Sequence, residues 1–483
     1  MNSTVKAKVD EITQAFELDK TRLQDLVELF NESADYGLAH TSAGREAMPM
    51  IPTFVTSIPT GKEKGVLLAA DLGGTNFRVC SVTLNGDHTF DLVQSKSHIP
   101  TDLMTSSSEE LFSYLASKIG AFVRQHHNEK FDAEASGDAA AAEAGKLKLG
   151  FTFSFPVEQT SLDSGTLIRW TKGFDIPDTI GQDVVKLLQS HIDKQKIPVH
   201  VAALANDTVG TLLARSYTGE NKEGLTSLGC IFGTGTNGAY NEKIDNIVKL
   251  PKDVVADLKA KNITHMVINT EWGSFDNELK RLPVTKYDVE VDNISSNKGY
   301  HMFEKRVSGM FLGEILRNVL LDLHSQGVLF TQYARKEDLP HRLRTPWLLS
   351  SEGMSLFEID DSTNLIATEL ELKNMLRLPT TVEERLAIQQ ITRAIAKRAS
   401  HLAAVPITAL VIKMDAFKGH NIEVDVGVDG SVVEFYPGFR TMMRDAIADT
   451  QVGAKGERRL HINISKDGSS VGAALCALSN DTI

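Results

Sequence analysis

An amide and a carboxylate, Asn206 and Asp207, stand side by side between the apolar run HVAALA and the helical pattern VGTLLARSY. An ionised aspartate at such a strand–helix junction can accept a proton from a bound hydroxyl, because a helix N-terminus favours negative charge. Asn and Asp are also preferred helix caps. The pair alone therefore leaves a catalytic and a capping interpretation open.

Two glycine-rich runs have the composition of anion-binding turns. The first follows an apolar strand and consists of Asp71, Leu72, Gly73, Gly74, Thr75 and Asn76. Glycine lets backbone N–H groups come close to an anion because it has no Cβ. Asp71 could hold Mg²⁺ through water, since Mg²⁺ gives up its waters reluctantly. A plain hairpin turn is the alternative, and the Asp-x-Gly-Gly-Thr grouping favours phosphate.

The second run, GTGTNG from Gly233 to Gly238, matches GxGxxG, which is a weak signal by itself. A dinucleotide fold needs a helix directly after the glycines, and the following AYNEKIDNIVKLP has no clean helical pattern. The HRD and DFG motifs of protein kinases do not occur, and neither does a Walker A sequence. We predict a second phosphate-facing hairpin.

Other polar residues are spread along the chain: Ser154, Thr171, Lys172, Glu271 and Glu304. A surface or capping role is the simpler interpretation for each one alone. A polyol ligand would require several such groups to converge on neighbouring hydroxyls, and spacing does not show that they do.

The elements that must position these residues alternate between strand and helix, which indicates an α/β architecture. Short β-type runs are predicted at Val66–Ala70, Leu149–Phe153, Val199–Ala203, Leu228–Phe232, Met266–Asn269 and Val424–Val428. Helices are predicted within Val5–Leu38 and over Met310–Gln326. A strand, glycine turn and strand recur in VLLAADLGGTNFRVCSV, in LGCIFGTGTNGAY and, more loosely, in VDVGVDGSVVEFY. This repetition predicts a duplicated fold whose halves face one another across a ligand cleft.

Composition limits the classes of partner. The chain has 483 residues, 42% of them hydrophobic, and a formal net charge of −12, which argues against nucleic acid. The cysteines Cys80, Cys230 and Cys476 are far apart within apolar runs, so we expect buried thiols. No signal sequence or membrane-spanning run is evident, and we expect a cytoplasmic location. The alanine-rich stretch from Glu129 to Gly145 predicts an exposed insertion without chemistry.

Taken in order, the motifs LAADLGGTNFRV, LGFTFSFPV, IRWTKGFDIP, NDTVGT, GCIFGTGTNGAY, EWGSFDNE, TKYDV and FEKRVSGMFLGE resemble the hexokinase family, and most of all the fungal glucokinases. The resemblance runs from about Met48 to Leu478. It implies an actin-like ATPase (ribonuclease H-like) fold, with two facing α/β domains and an inter-domain cleft. It places 66–207 plus about 465–483 in a small domain, and 1–65 plus 208–464 in a large one.

The resemblance also implies the site residues. Those that match the family's sugar-binding positions are Ser154, Thr171, Lys172, Asn206, Asp207, Asn237, Glu271 and Glu304. Those that match its nucleotide-binding positions are Asp71 to Asn76, Lys96, Gly233, Thr234, Gly430, Ser431, Gly468 and Ser469. Asp207 matches the catalytic base, and Lys172 is expected to offset phosphate charge beside it. One departure is Ser470, where the family usually has glycine; a Cβ there could crowd the nucleotide.

The implied reaction is transfer of the γ-phosphoryl group of MgATP to O6 of glucose, by a monomer or homodimer with neither nucleic acid nor membrane as partner. Charge stabilisation and positioning dominate such transfers. A broader hexokinase that also accepts fructose and mannose stays open, because the same motifs serve both. A non-catalytic sugar sensor could lose Asp207 or Asp71, and both are present. An actin-type chaperone would not need WTKGF, NDT and EWGSFDNE.

Overall fold

The computed structural model describes residues 1–41, 48–131, 145–170, 173–219, 226–418, 422–465 and 467–479. Most of the Glu129–Gly145 stretch, together with Thr171 and Lys172, therefore lies outside the described residues. The strands are β1 (Ile51–Pro52), β2 (Lys64–Leu72), β3 (Asn76–Asn85), β4 (Phe90–His98), β5 (Leu147–Phe153), β6 (Val157–Ser161), β7 (Ser164–Leu167), β8 (Val199–Ala205), β9 (Thr226–Phe232), β10 (Thr236–Lys243), β11 (His265–Asn269), β12 (Val424–Asp429) and β13 (Leu460–Ile464). Every predicted strand is confirmed.

The helices between the strands follow local capping signals, as in Ser107 with Glu110 and Thr381 with Glu384. They are α1 (Ser3–Ala15), α2 (Lys20–Ala39), α3 (Ser108–His126), α4 (Val184–Lys194), α5 (Asp207–Thr218), α6 (Lys252–Ala260), α7 (Lys286–Ile294), α8 (Glu304–Val307), α9 (Gly309–Ser325), α10 (His341–Arg344), α11 (Ser351–Ile359), α12 (Ile366–Leu376), α13 (Val382–Lys413), α14 (Ser431–Phe435), α15 (Phe439–Asp449), α16 (Gly453–Glu457) and α17 (Gly468–Ser479). The predicted helices near the N-terminus and at Met310–Gln326 are confirmed as α1, α2 and α9.

The sheet that we call the first sheet has the strand order β4-β3-β2-β5-β8. Its strands β2, β5 and β8 run parallel, with Asp71 beside Thr152 and Thr152 beside Ala205, and β8 forms one edge of the sheet. Strands β3 and β4 extend it in antiparallel fashion. The carboxyl ends of three parallel strands thus meet along one edge, which is where ligands bind in open α/β sheets.

The second sheet has the order β1-β11-β10-β9-β12-β13, and its strands β9, β12 and β13 run parallel. Each sheet contains an antiparallel hairpin around a glycine turn, β2–β3 in one and β9–β10 in the other. The internal duplication is therefore real for the first two repeats. The exact domain boundaries stay a prediction.

The third proposed repeat, VDVGVDGSVVEFY, was wrong as a strand–turn–strand unit. Strand β12 ends at Asp429 and the chain enters the short helix α14 instead of a second strand. Gly430 at φ +111° makes the turn, and Val432 and Val433 are buried. The β-branched pair suggested a strand, but a helical turn buries both side chains on adjacent positions.

Helices α5 and α17 cross with their backbones in contact. A Cβ at Gly472 would lie 2.0 Å from the Gly210 Cα, and one at Gly210 would lie 2.5 Å from the Gly468 carbonyl oxygen. Only glycine permits this approach. The two helices share a buried apolar cluster with the first sheet, to which Leu67, Val209 and Leu475 belong.

Helix α13 is the central helix of the larger apolar core. By length and composition it is the one helix of the described residues that could cross a membrane, yet 89% of its most apolar window is buried inside the protein. A buried core helix passes the same test. The three cysteines are buried free thiols, as expected. Burial raises the pKa of Cys80 to about 11 and that of Cys476 to about 12, which makes these thiols poor nucleophiles.

Candidate active site

Predicted site residues from three strands lie together at the carboxyl edge of the first sheet. Asp71 lies at the end of β2, and Asn206 and Asp207 directly follow β8. Ser154 follows β5, and its backbone N–H donates to the Leu72 carbonyl at 3.3 Å. The register of the sheet therefore brings the first glycine turn, Ser154 and the Asn-Asp pair onto one edge.

The structure shows which residue of the Asn206–Asp207 pair caps the helix. Asn206 is the cap of α5, since its Oδ1 accepts from the Thr208 N–H at 2.9 Å and from the Thr208 hydroxyl at 2.6 Å. Asp207 is the first residue of the helix. The Asn206 amide caps the start of the helix, and the Asp207 carboxylate lies at the positive end of the helix dipole.

The first glycine turn is open. A Cβ on Gly74 would meet nothing within 4 Å, and one on Gly73 would meet only Asp71 Oδ1 at 3.5 Å. Arg78 on β3 pairs in register with both Asp71 and Lys96, which places two cations on the rungs beside the turn. Such a turn presents backbone N–H groups and positive charge to an anion.

The second glycine turn is packed. The Gly309 N–H donates to the Gly233 carbonyl at 2.8 Å, and the Met310 N–H donates to the Thr234 carbonyl at 3.3 Å. A Cβ on Gly235 would lie 2.6 Å from Glu304 Oε2. The turn is thus attached to the start of α9 and closely approaches a predicted sugar carboxylate.

The remaining residues predicted to bind the nucleotide lie at the carboxyl edge of the second sheet. Gly430 and Ser431 follow β12, while Gly468 and Ser469 begin α17 shortly after β13. A Cβ on Gly430 would lie 2.7 Å from the Gly233 nitrogen, so this segment borders the second glycine turn. The Ser469 carbonyl accepts from the Thr152 hydroxyl at 3.0 Å, which joins this edge to the first sheet.

Ser470 does not have the position that would crowd a ligand. Its side chain is fully buried, and the Cys80 thiol donates to its hydroxyl at 3.4 Å. The expectation that its Cβ crowds the nucleotide is therefore not supported, because the side chain lies in the contact between α17 and β3.

A connected network of amides and carboxylates joins the ends of β10 and β11. Asn237 Nδ2 donates to Glu271 Oε1 at 3.1 Å and to Asn269 Oδ1 at 2.8 Å, and Asn269 Nδ2 donates to Glu271 Oε1 at 2.8 Å. Glu271 has φ +53°, an unusual conformation for a residue with a Cβ. Left-handed backbone at non-glycine residues clusters at functional sites, where neighbours hold it in place.

Glu304 reaches the same place from α8. Its Oε2 accepts the Thr236 N–H at 2.9 Å, and its Oε1 lies 3.2 Å from His301 Nδ1. Burial lowers the pKa of His301, but the hydrogen bond to Glu304 and the charges of Glu304 and Glu271 raise it above its usual value. Asn237, Glu271 and Glu304 thus converge, as a polyol site requires.

The two halves approach each other at this point. Arg169, which follows β7 and precedes Thr171 and Lys172 in sequence, lies close enough to His301 to oppose its protonation. The aromatic residues next to it are fixed, since Trp170 stacks on Phe174 with ring centroids 5.1 Å apart. Arg169 of one half therefore lies close to the carboxylates of the other.

No cluster of three or more metal-ligating side chains is found within the described ranges. A Mg²⁺ ion that is held mainly by phosphates and water needs only one or two carboxylates. Asp71, partly exposed beside the open turn, fits that requirement.

Three residues at the site were missed by sequence reasoning. Asn269 lies two residues before Glu271, and His301 lies three residues before Glu304. A polar residue near a predicted site residue does not by itself indicate that it belongs to the site. Arg78 lies two residues after Asn76, and strand alternation could have placed it on the same face as the turn.

Comparison with known proteins assigns both halves. Hexokinase family models match residues 8–217 and 227–479. Glucokinase-1 of Saccharomyces cerevisiae is 55% identical, over 97% of this chain and 96% of its own length, and the glucokinase of Aspergillus niger is 48% identical over 99% and 98%. Hexokinase-1 of Saccharomyces cerevisiae is 39% identical over 99% and 93%.

A solved structure agrees in fold along the whole chain. The hexokinase of Schistosoma mansoni in complex with glucose has a TM-score of 0.81 and 33% identity, and the match covers 99% of this chain and 100% of that one. The predicted actin-like ATPase fold is confirmed.

Proposed function

This chain belongs to the hexokinase family, and we propose that Asp207 is the base of its reaction. The enzyme is an ATP-dependent hexose kinase that converts glucose to glucose 6-phosphate, the first step of glycolysis. The finer assignments, namely the base, the metal, the sugar contacts and the range of sugars, are proposals.

The supporting observation is the register of the first sheet, which places Asp71, Ser154 and Asp207 on one edge. Asn237, Glu271 and Glu304 converge in the other half, and Arg169 of the first half lies near His301 beside them. A sugar held by the carboxylate and amide groups would present its 6-hydroxyl to Asp207. The adjacent open turn would then receive the phosphates.

Asp207 would orient the 6-hydroxyl and accept its proton late, as the new O–P bond forms. Backbone N–H groups of the two turns, together with Lys172, would offset the charge of the transferring group. Asp71 would hold a Mg²⁺ ion through water, and the ion would supply further charge neutralisation. Thr171 and Ser154 would complete the sugar contacts, while Lys96, Gly430, Ser431, Gly468 and Ser469 would contact the nucleotide.

The test is a coupled assay of ADP release, with glucose, fructose, mannose and no sugar in parallel, with and without Mg²⁺. We expect Asp207→Ala to lower kcat roughly 10²–10⁴-fold while the protein stays folded. Asp253→Ala is the matched control, since Asp253 also lies in the first turn of a helix, α6, and is exposed. Near-normal kcat in folded Asp207→Ala would remove it from the base role.

Fructose and mannose turnover decides between a glucokinase and a broader hexokinase, and turnover only without sugar would contradict the kinase assignment. Higher identity to the two fungal glucokinases than to hexokinase-1 supports the preference for glucose. A cytoplasmic location and a monomeric or homodimeric state stay proposals as well.

A further inference from the structure

One ionisable group touches the sugar carboxylates without a role in the mechanism above. His301 precedes Glu304 by three residues, and its Nδ1 lies 3.2 Å from Glu304 Oε1. The other oxygen of Glu304 already accepts the Thr236 N–H at 2.9 Å. The two donors approach different oxygens, so together they fix the plane of the carboxylate, which neither does alone.

The backbone conformation that places the His301 imidazole here is energetically unfavourable. His301 has φ +55°, in the left-handed region that disfavours residues with a Cβ. The loop of Glu271 leaves room for it, because a Cβ on Gly273 would lie only 3.3 Å from His301 Nδ1. A strained residue that neighbouring segments hold in position is typical of functional sites.

The charges that face His301 come from three segments. Glu304 on α8 and Glu271 after β11 favour the imidazolium, and Arg169 from the other half opposes it. Burial opposes it too, but the net effect raises the pKa of His301 above its usual value. Among these side chains, the imidazole of His301 is the one whose ordinary pKa lies near neutrality, so His301 is the group expected to change charge between pH 6 and 8.5.

We propose that His301 is a positioning residue for the sugar: its hydrogen bond to Glu304 orients that carboxylate and makes glucose affinity fall as pH rises through neutrality. The proposal rests on the proposed function, because it takes Glu304 to be a sugar ligand.

The direction follows from the charge on the donor. Below the pKa of His301 the imidazolium makes a charge-assisted hydrogen bond to Glu304, which is roughly twice as strong as a neutral one. Above it the neutral ring can still donate from Nδ1, but more weakly. Glucose affinity should therefore be highest at the acid end of the range and decrease by roughly threefold towards pH 8.5.

The experiment measures the Kd for glucose by calorimetry without nucleotide, at half-unit steps from pH 6.0 to 8.5. His301→Gln retains an N–H donor but cannot carry a charge, and His301→Ala retains neither. We expect His301→Gln to bind glucose with little pH dependence, and His301→Ala to bind roughly tenfold more weakly at pH 6. Because positioning concerns the sugar, kcat at saturating substrates should stay within about twofold in both variants.

The control is His324→Gln, since His324 is also buried and hydrogen-bonded, but to the Tyr333 carbonyl. It should keep the wild-type pH profile. Unchanged glucose affinity in His301→Ala, or a wild-type pH profile in His301→Gln, would overturn the inference and leave the kinase assignment intact. Absence of glucose binding by the wild-type protein at every pH would overturn both.

Discussion

The two glycine turns occupy equivalent places in the two halves, yet their surroundings differ. Each follows the first strand of an antiparallel hairpin, β2–β3 or β9–β10. Around Gly73 and Gly74 a side chain would find space, whereas around Gly233 and Gly235 it would meet Gly430 or Glu304. In the first turn no neighbouring protein atom would clash with a larger side chain. In the second turn neighbouring atoms would clash with one.

This difference separates two causes for the same residue type. Gly74 has φ +158°, which itself favours glycine. At Gly73, where no protein atom excludes a Cβ and no such φ occurs, an external ligand that needs close backbone approach is the remaining reason for glycine. Where protein atoms exclude it, glycine is also needed to assemble the site. Substitutions in the two turns should therefore affect different measurements.

The largest effect is expected at Gly430, against which the second turn packs. In Gly430→Ala the new Cβ would lie 2.5 Å from the Phe232 carbonyl carbon, in a residue at φ +111°. Strain and overpacking together should lower the free energy of unfolding by about 2–5 kcal/mol, measured by urea denaturation. Gly453→Ala, at φ +66° in open space, is the control and should lose only about 1–2 kcal/mol. Equal losses would mean that the packing contributes nothing.

An intermediate effect is expected at Gly235, where the conflicting atom is the end of a side chain. In Gly235→Ala the Cβ would displace Glu304 Oε2 from 2.6 Å and break its bond from the Thr236 N–H. We expect KM for glucose to rise roughly tenfold, with unfolding changed by less than about 1 kcal/mol. An unchanged KM for glucose would argue that Glu304 is not a sugar ligand.

The smallest effect on stability is expected in the open turn. Gly73→Ala meets only Asp71 Oδ1 at 3.5 Å, an ordinary contact, so unfolding should change by no more than about 0.5 kcal/mol. KM for ATP should still rise several-fold, while the Kd for glucose stays constant. If KM for ATP were unchanged, the turn would not approach the nucleotide, and the contrast between the turns would lose its functional meaning.

Sequence periodicity and motif order predicted most of the architecture, because buried strands and amphipathic helices leave strong local patterns. They failed at VDVGVDGSVVEFY, where Gly430 makes a turn into a helix although Val432 and Val433 favour a strand. The site was predictable as a list of residues but not as a network. The bonds from Asn237 to Glu271 and from His301 to Glu304 join side chains whose meeting depends on tertiary packing.

Ser470 is a second example of a residue whose role depends on tertiary packing that the sequence does not show. A departure from a motif suggests a local effect on the ligand, but which way the side chain points depends on how α17 packs. The structure buries it against Cys80, 390 residues away in sequence. Thr171 and Lys172 lie outside the described residues, so their assignment stays a prediction.

The backbone contact between α5 and α17 has a consequence for the order in which the protein can mature during synthesis. The apolar cluster of the first sheet includes Val471, Ala474 and Leu475, which are translated long after the sheet's last strand, β8, is complete. At roughly 5–20 residues per second, a ribosome needs on the order of tens of seconds to make the segment between them. Throughout that interval the first half lacks the helix that covers one face of its sheet. The nascent chain therefore exposes apolar surface that chaperones recognise, although the first glycine turn, Ser154, Asn206 and Asp207 have already been synthesised.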